Sequence, residues 1–245
     1  MGLRILPPIA AANINRPELR YRWDDTRASA DFVRPAPEGL VDTLKPLYLR
    51  ARIALAIGMY EWVIERFRGL HADPLPFNLA EGAWCANVDR TYMEYIELTR
   101  SEWTGPIRGP IWCAATWLLP AIYFSDDEPE EWESGVDYLA RLALHVLPDP
   151  QPFEAWLQAT VDRLVVLFTA PPPDPFEDLF GEREEERRGP LVAREALDPA
   201  FPYRSEDAER LIGTLLANVD HRANDLLRSP EEMIETGFTG VPYSL

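Results

Sequence analysis

The sequence predicts an all-α protein, a single multi-helix bundle of about six to seven helices with a Pro-rich excursion before the last long helix. Apolar residues recur at spacings of three and four along most of the chain, which is typical of amphipathic helices. No segment shows the sustained apolar and polar alternation of a half-buried strand. With 245 residues, 47% of them hydrophobic, the chain can bury one large core without disulfides, and we expect a single domain over residues 1–245.

Residues 1–36 are predicted to form an N-terminal arm packed on the body. Arginines and aromatic residues alternate in this arm, a pattern that in a basic protein would indicate nucleic-acid binding. Residues 1–52 carry nine basic and six acidic side chains, whereas the rest of the chain carries fifteen and thirty-five. Because the acidic body is the nearest anion, we expect the arm to bind its own body and expect no nucleic-acid partner. The arm residues concerned are Arg16, Arg20, Tyr21, Arg22, Trp23, Arg27, Phe32 and Arg34.

Residues 37–170 are predicted to form the helical core. Two stretches, IALAIGMYEWVI and PIWCAATWLLPAIYF, are apolar on nearly every face of a helix. Helices of this kind are normally covered on all sides, so both are expected in the middle of the bundle. The predicted core helices are Val41–Arg68, Leu79–Arg100, Pro110–Phe124, Pro129–Leu147 and Pro150–Ala170.

Residues 171–204 do not follow the helical pattern, because they are rich in prolines and charged residues. They are predicted to form a surface excursion whose apolar residues pack against the body. Residues 205–245 should then form the C-terminal helices and tail. Apolar periodicity predicts one helix over Ser205–Arg228. Ser229 follows as an N-cap with Glu232 at the capping-box position, so a short final helix is expected there. The apolar residues expected to pin the excursion are Phe176, Leu179, Phe180, Phe201 and Tyr203.

Charge and hydropathy exclude several classes of partner. The net charge of −17 should repel nucleic acid and anionic membrane surfaces. Pro7 and Pro8 interrupt the apolar stretch that a signal peptide would need. The longest uncharged run, residues 109–125, is short for a membrane span and contains two prolines. We therefore expect a cytoplasmic protein with no membrane partner.

The two cysteines, Cys85 and Cys113, both lie in Trp-Cys-Ala triplets. They could form a disulfide, part of a metal site, a redox couple, or two small side chains in a core. Both fall where a helix should bury small apolar residues, and only Asp89 and Arg90 supply charge near either one. A reactive thiolate needs a stronger activating neighbour, so the pattern favours packing as free thiols.

The sequence contains no recognisable catalytic or metal-binding motif. His71, His145 and His221 are too few and too dispersed for a metal-ligand motif, and we expect them to be exposed. His221 and Asp225 would lie one turn apart on a helix, an arrangement common on helix surfaces. We expect no metal and no cofactor, and the sequence favours a protein that is not an enzyme.

Two carboxylate pairs fall at helical spacing. Glu61 with Glu65, and Glu94 with Glu97, would each share one helix face, but a di-metal bundle also needs Glu-x-x-His elements, which are absent. Glu61 lies in an otherwise apolar helix, so it must reach solvent or meet an arginine such as Arg52. We expect a structural ion pair.

The acid-rich stretch SDDEPEEWE is the main clue to function. One or two carboxylates satisfy a helix N-terminus, and the effect of the helix dipole fades within one turn. Six carboxylates around one aromatic residue, expected to be exposed, indicate either a solvated helix start or a surface that binds a partner. The predicted partner-binding residues are Asp126, Asp127, Glu128, Glu130, Glu131, Trp132 and Glu133.

The sequence therefore favours a non-enzymatic, acidic protein-binding module for a basic protein partner, in the manner of a cognate inhibitor, an immunity protein or an adaptor. The alternative is an all-α enzyme or small-ligand binder with an unrecognised pocket near the bundle centre. A deep cavity that contains a perturbed carboxylate such as Glu61 would favour the alternative. A flat or convex acidic face would favour protein binding.

Overall fold

The structure, a computed structural model, describes residues 3–32, 34–172 and 187–245, and in these ranges it contains nine α-helices and no strand. The predicted all-α fold is confirmed. Short 3-10 turns connect several of the helices. The helices are α1 Pro7–Ala12, α2 Leu40–Leu44, α3 Leu49–Arg66, α4 Leu75–Val88, α5 Gly105–Tyr123, α6 Glu130–Val146, α7 Gln151–Phe168, α8 Ala208–Asn218 and α9 Pro230–Glu235.

Helix α3 is the centre of the bundle. Every residue of this helix except Arg52 is buried, and α4, α5, α6 and α7 all contact it. The neighbours surround α3 because its sequence carries apolar side chains on all faces, as predicted. No helix in the described part of the chain is both long enough and apolar enough to cross a lipid bilayer.

The first long helix of the prediction is in fact two helices. The prediction of a single helix over Val41–Arg68 is wrong, because the chain leaves the helical path between α2 and α3, at Pro46. A proline has no amide hydrogen to donate to the carbonyl four residues earlier, and its ring collides with that carbonyl. The residues between α2 and α3 form backbone hydrogen bonds with the end of α7 and the residues after it. Tyr48 N donates to Phe168 O at 2.9 Å, and Ala170 N donates to Pro46 O at 2.8 Å.

The prediction of a helix over Leu79–Arg100 is wrong in its second half, since α4 ends at Val88. Asp89 stops the helix. Its Oδ1 accepts hydrogen bonds from the backbone amide of Thr91 at 2.8 Å and from the Thr91 hydroxyl at 2.7 Å. Such local side-chain bonds compete with helix formation. The chain beyond this turn pairs with residues 226–228.

The long C-terminal helix is also shorter than predicted. Apolar periodicity covers Ser205–Arg228, but only α8 is an α-helix there. Leu226 and Leu227 are buried as the periodicity suggests, but they lie in a turn and not in a helix. Asn224 anchors this turn because its side-chain amide donates to Asn78 O at 2.9 Å. Tertiary contacts therefore override the local helical pattern.

The remaining helices form close to their predicted places. Helices α6 and α7 lie within about two residues of the predicted bounds, and α5 begins earlier than predicted and continues through Pro110 and Pro120. The capping box at the start of α9 is confirmed. Ser229 Oγ accepts from Glu232 N at 3.3 Å, and Glu232 Oε2 accepts from Ser229 N at 2.7 Å.

The N-terminal residues pack on the helices through apolar and backbone contacts. Apolar side chains of α1 and of the loop after it belong to the hydrophobic core. Arg66 of α3 donates to Arg16 O at 2.6 Å and to Glu18 O at 2.8 Å. An arginine of the body thus binds carbonyls of the arm. The charge contact expected from the sequence occurs at Arg34, whose exposed guanidinium lies 3.6 Å from the Glu154 carboxylate.

The excursion predicted over residues 171–204 is described at residues 171–172 and from residue 187 onward. Leu197 is fully buried, and its carbonyl accepts a hydrogen bond from Trp156 Nε1 at 2.7 Å. Tyr203 is buried and Phe201 is partly buried against the core, as the sequence predicts. The other three predicted anchors, Phe176, Leu179 and Phe180, lie outside the described residues.

Candidate functional site

The acid-rich stretch occupies the connection between α5 and α6 and the first turn of α6. Glu133 is partly buried and lies 3.9 Å from the ammonium of Lys45. Four other carboxylates reach solvent and form no ion pair with any described residue. They are therefore available to water or to a partner. These four residues are Asp127, Glu128, Glu130 and Glu131.

Two of the seven predicted partner-binding residues, Asp126 and Trp132, have buried side chains. The expectation of an exposed Trp132 is wrong, because this side chain is 1% exposed and the guanidinium carbon of Arg52 lies 4.5 Å from its ring centroid. Trp132 shares the buried face of α6 with Val136, one turn away. The Asp126 side chain is 5% exposed and forms an ion pair with Arg90.

Arg90 holds the acidic turn in one shape. Its guanidinium binds Asp126 and also donates to Tyr123 O at 2.7 Å. The two backbone amides that follow Asp126 both donate to Phe124 O, at 3.1 Å and 2.8 Å. A turn that is fixed by its own hydrogen bonds loses little conformational entropy when a partner binds.

An exposed aromatic side chain does lie beside the acidic turn, and it is Phe124. This side chain is 41% exposed, and its ring centroid is 5.2 Å from that of Tyr95. Tyr95 in turn packs edge-on against Tyr123, with 5.3 Å between the ring centroids. The sequence pattern did not single out Phe124, because it ends an all-apolar helix. The available signal was its place in the last turn, where fewer neighbours can cover a side chain.

Two carboxylates lie close enough to this aromatic pair to act on Tyr95. Burial raises the pKa of the Tyr95 phenol, and the negative charges of Glu97 and Glu131 raise it further. Glu97 and its predicted helical partner Glu94 are both exposed, and they lie in the non-helical segment after α4. Side chains from two separate parts of the chain therefore meet here. We call these residues the acidic patch: Tyr95, Glu97, Phe124, Asp127, Glu128, Glu130 and Glu131.

Both cysteines are free and buried, as the sequence predicts. Burial raises the pKa of the Cys85 thiol well above its ordinary range, and the charge of Glu81 adds to this effect. Burial also raises the pKa of the Cys113 thiol to about 11. Both groups therefore stay protonated at neutral pH, which suits side chains that pack in a core.

The three histidines are dispersed, and each is partly buried where the sequence predicted exposure. His71 has a lowered pKa because burial disfavours its charged form. His145 binds a carbonyl of the N-terminal arm at 2.8 Å. His221 stacks on Tyr243 and is not on one helix with Asp225, because α8 ends before both. In the described part of the chain no group of three or more His, Cys, Asp or Glu side chains is placed to hold a metal ion.

Glu61 forms the ion pair expected of it, but its partner is Arg194 and not Arg52. Arg194 Nε donates to Glu61 Oε1 at 2.8 Å, and Arg194 Nη2 donates to Glu61 Oε2. Trp84 Nε1 also donates to Glu61 Oε1, at 2.7 Å. The carboxylate is 2% exposed, and side chains of the protein itself engage both of its oxygens. This arrangement is that of a structural ion pair.

No protein-family model, no curated protein and no solved structure matches this chain.

Proposed function

We propose that this protein is a non-enzymatic binding protein whose acidic patch docks a basic surface of a partner protein, as a cognate inhibitor, an immunity protein or an adaptor does. One observation carries the proposal. The exposed ring of Phe124 packs against Tyr95 and directly precedes a turn fixed by hydrogen bonds, and four carboxylates that follow it in the chain form no ion pair with a described residue. An aromatic anchor at the centre with charged groups at the rim is the usual composition of a protein-binding hot spot.

Charge supports the choice of a basic partner. The net charge of −17 attracts a basic protein over long range and repels nucleic acid. Carboxylates at the rim of an interface mainly raise the association rate. An arginine of the partner suits this patch well, because its guanidinium can stack on the ring of Phe124 or Tyr95 and bind a neighbouring carboxylate at the same time.

The proposed location is the cytoplasm. Both cysteines are free, and a reducing compartment keeps thiols in this state. The acidic patch would then act on a partner that is made in, or enters, the same compartment.

Differential capture tests the proposal. Wild-type protein, Phe124→Ala and Val166→Ala are immobilised and used to capture proteins from the native source at low salt. Val166 provides a matched control, because it is also an exposed apolar residue, at 82%, and lies on α7 outside the acidic patch.

We expect a basic protein to bind wild type and Val166→Ala and to bind Phe124→Ala about tenfold more weakly. The captured protein should elute as salt rises toward ~0.5 M, since screening weakens the contribution of the carboxylates. An identical set of captured proteins for all three baits would refute the proposal.

A further inference from the structure

A cleft of about 390 Å³ opens between the N-terminal segment, α4, residues 193–195 and α8. Its volume falls within the range of pockets that hold small molecules. No residue of the acidic patch lines this cleft, so it is a separate feature of the molecule. Its walls combine aliphatic side chains with charged ones.

Glu81 brings a nearly buried carboxylate to the cleft. The residue is 8% exposed, and its Oε2 accepts a hydrogen bond from Asn224 Nδ2 at 3.1 Å. Asn224 is held in place because the same amide group donates to Asn78 O at 2.9 Å. No described residue donates a hydrogen bond to Glu81 Oε1. Glu81 Oε1 keeps contact with solvent, and a carboxylate oxygen that is open to a cleft binds a cationic donor more strongly than a neutral one.

The other charges of the cleft leave a negative excess. The charge of Arg194 is already balanced by Glu61. Glu195 supplies a second carboxylate and Arg4 supplies one exposed guanidinium, and neither is ion-paired with a described residue. Glu81 and Glu195 together therefore outweigh Arg4, and the cleft favours a cation over an anion.

The apolar wall of the cleft indicates what else the cation carries. Leu211 and Leu215 lie one helical turn apart on α8, Val219 directly follows the end of this helix, and all three line the cleft as an apolar stripe. All three side chains are only partly buried. An alkyl chain lying on this stripe would remove apolar surface from water, whereas an inorganic cation would not.

We propose that this cleft binds a small aliphatic primary amine in its ammonium form. The ammonium donates to Glu81 Oε1 and lies within the field of Glu195, while the alkyl chain lies along the stripe on α8. This site does not depend on the acidic patch or on a protein partner.

Isothermal titration calorimetry at pH 7 tests this inference, with n-hexylamine as the probe. Hexanol and hexanoate are matched controls, because they carry the same chain with a neutral or an anionic head group. We expect hexylamine to bind at one site with a Kd of about 1 mM or tighter. Hexanol should bind at least about tenfold more weakly, since it lacks the charge that Glu81 recognises. Hexanoate should show no saturable binding.

Variants locate the site. Glu81→Gln keeps the shape of the side chain and an oxygen that can accept from Asn224, and it should weaken hexylamine binding at least about tenfold. Thr214→Tyr changes an exposed residue of the wall and should narrow the cleft without affecting the fold. Glu209→Gln is the matched control, since Glu209 is exposed on the same helix but does not line the cleft.

The inference is overturned by any of three results. These results are the absence of saturable hexylamine binding to wild type, hexanoate binding as tight as hexylamine binding, and unchanged affinity in the cleft variants. Thermal melts show whether each variant is folded. Thr214→Tyr decides the outcome alone if Glu81→Gln does not fold, because it leaves every buried polar contact in place.

Discussion

At the scale of the residue, Glu61 shows how a charge is kept inside an apolar helix. The sequence indicates that this carboxylate needs a cation, and it offers Arg52 as a neighbour along the chain. The structure supplies Arg194, which comes from a distant segment, together with the indole of Trp84. No local pattern could identify Arg194, because the contact exists only once the excursion has folded back onto α3.

Removing one partner of this pair should be strongly destabilising. Arg194→Leu leaves a buried carboxylate without its cation, so the free energy of unfolding should fall by about 3 kcal/mol or more. Arg210→Leu is the control, because Arg210 forms a solvent-exposed ion pair with Asp207 at 2.8 Å and should cost less than about 1 kcal/mol. Urea denaturation measures both changes. Equal losses for the two variants would contradict a buried structural pair.

The two thiols should be unreactive in the folded protein. Because burial raises the pKa of Cys113 to about 11 and that of Cys85 still further, neither thiolate forms to a useful extent below that range. Labelling of the native protein with a thiol reagent should therefore remain slow as pH rises from about 7 to about 9, where an ordinary thiol ionises. Both thiols should react rapidly once the protein is unfolded. Fast labelling of either one in the native state would disprove this account.

At the scale of the element, a helix could be predicted where its own sequence carries a clear apolar stripe. The end of a helix could not be predicted where contacts with distant parts of the chain determine it. Helices α6 and α7 follow their apolar stripes almost to the residue. The predicted ends of α4 and α8 both lie too far along the chain. Asp89 ends α4 through its hydrogen bonds with Thr91, and neither helix resumes in the segment beyond its end. Residues 92–94 pair with residues 226–228, and this pairing removes both segments from the helices that their periodicity indicates.

The capping box shows which local signal is decisive. Ser229→Ala should lower the free energy of unfolding by about 1 kcal/mol, because it removes the acceptor for the backbone amide of Glu232. Ser205→Ala should have almost no effect, although Ser205 begins the helix that the sequence predicts, because α8 begins at Ala208 and its N-cap residue is Asp207. Urea denaturation of the two variants compares them. A larger loss at Ser205 would contradict this assignment of the caps.

At the scale of the whole molecule, the sequence located the acidic patch only in part. It identified four of the carboxylates, because they are adjacent in the chain. It chose Trp132 as the exposed aromatic residue, yet the phase of α6 turns that ring inward. It missed Phe124 and Tyr95, since their contact requires the segment after α4 to pack beside the end of α5. Charge can be summed along a sequence, whereas the aromatic centre of a binding surface is a product of packing.

Charge and the aromatic ring should affect different steps of binding to the captured partner. Neutralising Asp127, Glu128 and Glu131 together should lower the association rate about tenfold at low salt, because rim carboxylates steer the encounter. The difference should shrink toward ~0.5 M salt, where the Debye length is only a few ångströms. Phe124→Ala should instead raise the dissociation rate about tenfold, because it removes a contact that forms after docking. Surface plasmon resonance at two salt concentrations measures both rates.

A triple variant with the same loss of charge elsewhere separates local steering from net charge. Its three glutamates are exposed, form no ion pair with a described residue and lie outside the acidic patch. If the patch steers the partner, this control should slow association much less than the patch variant does, although both change the net charge by three. Equal slowing by both triple variants would show that only the total charge matters, and the acidic turn would then be no more than a solvated helix start. The control changes are Glu38→Gln, Glu209→Gln and Glu235→Gln.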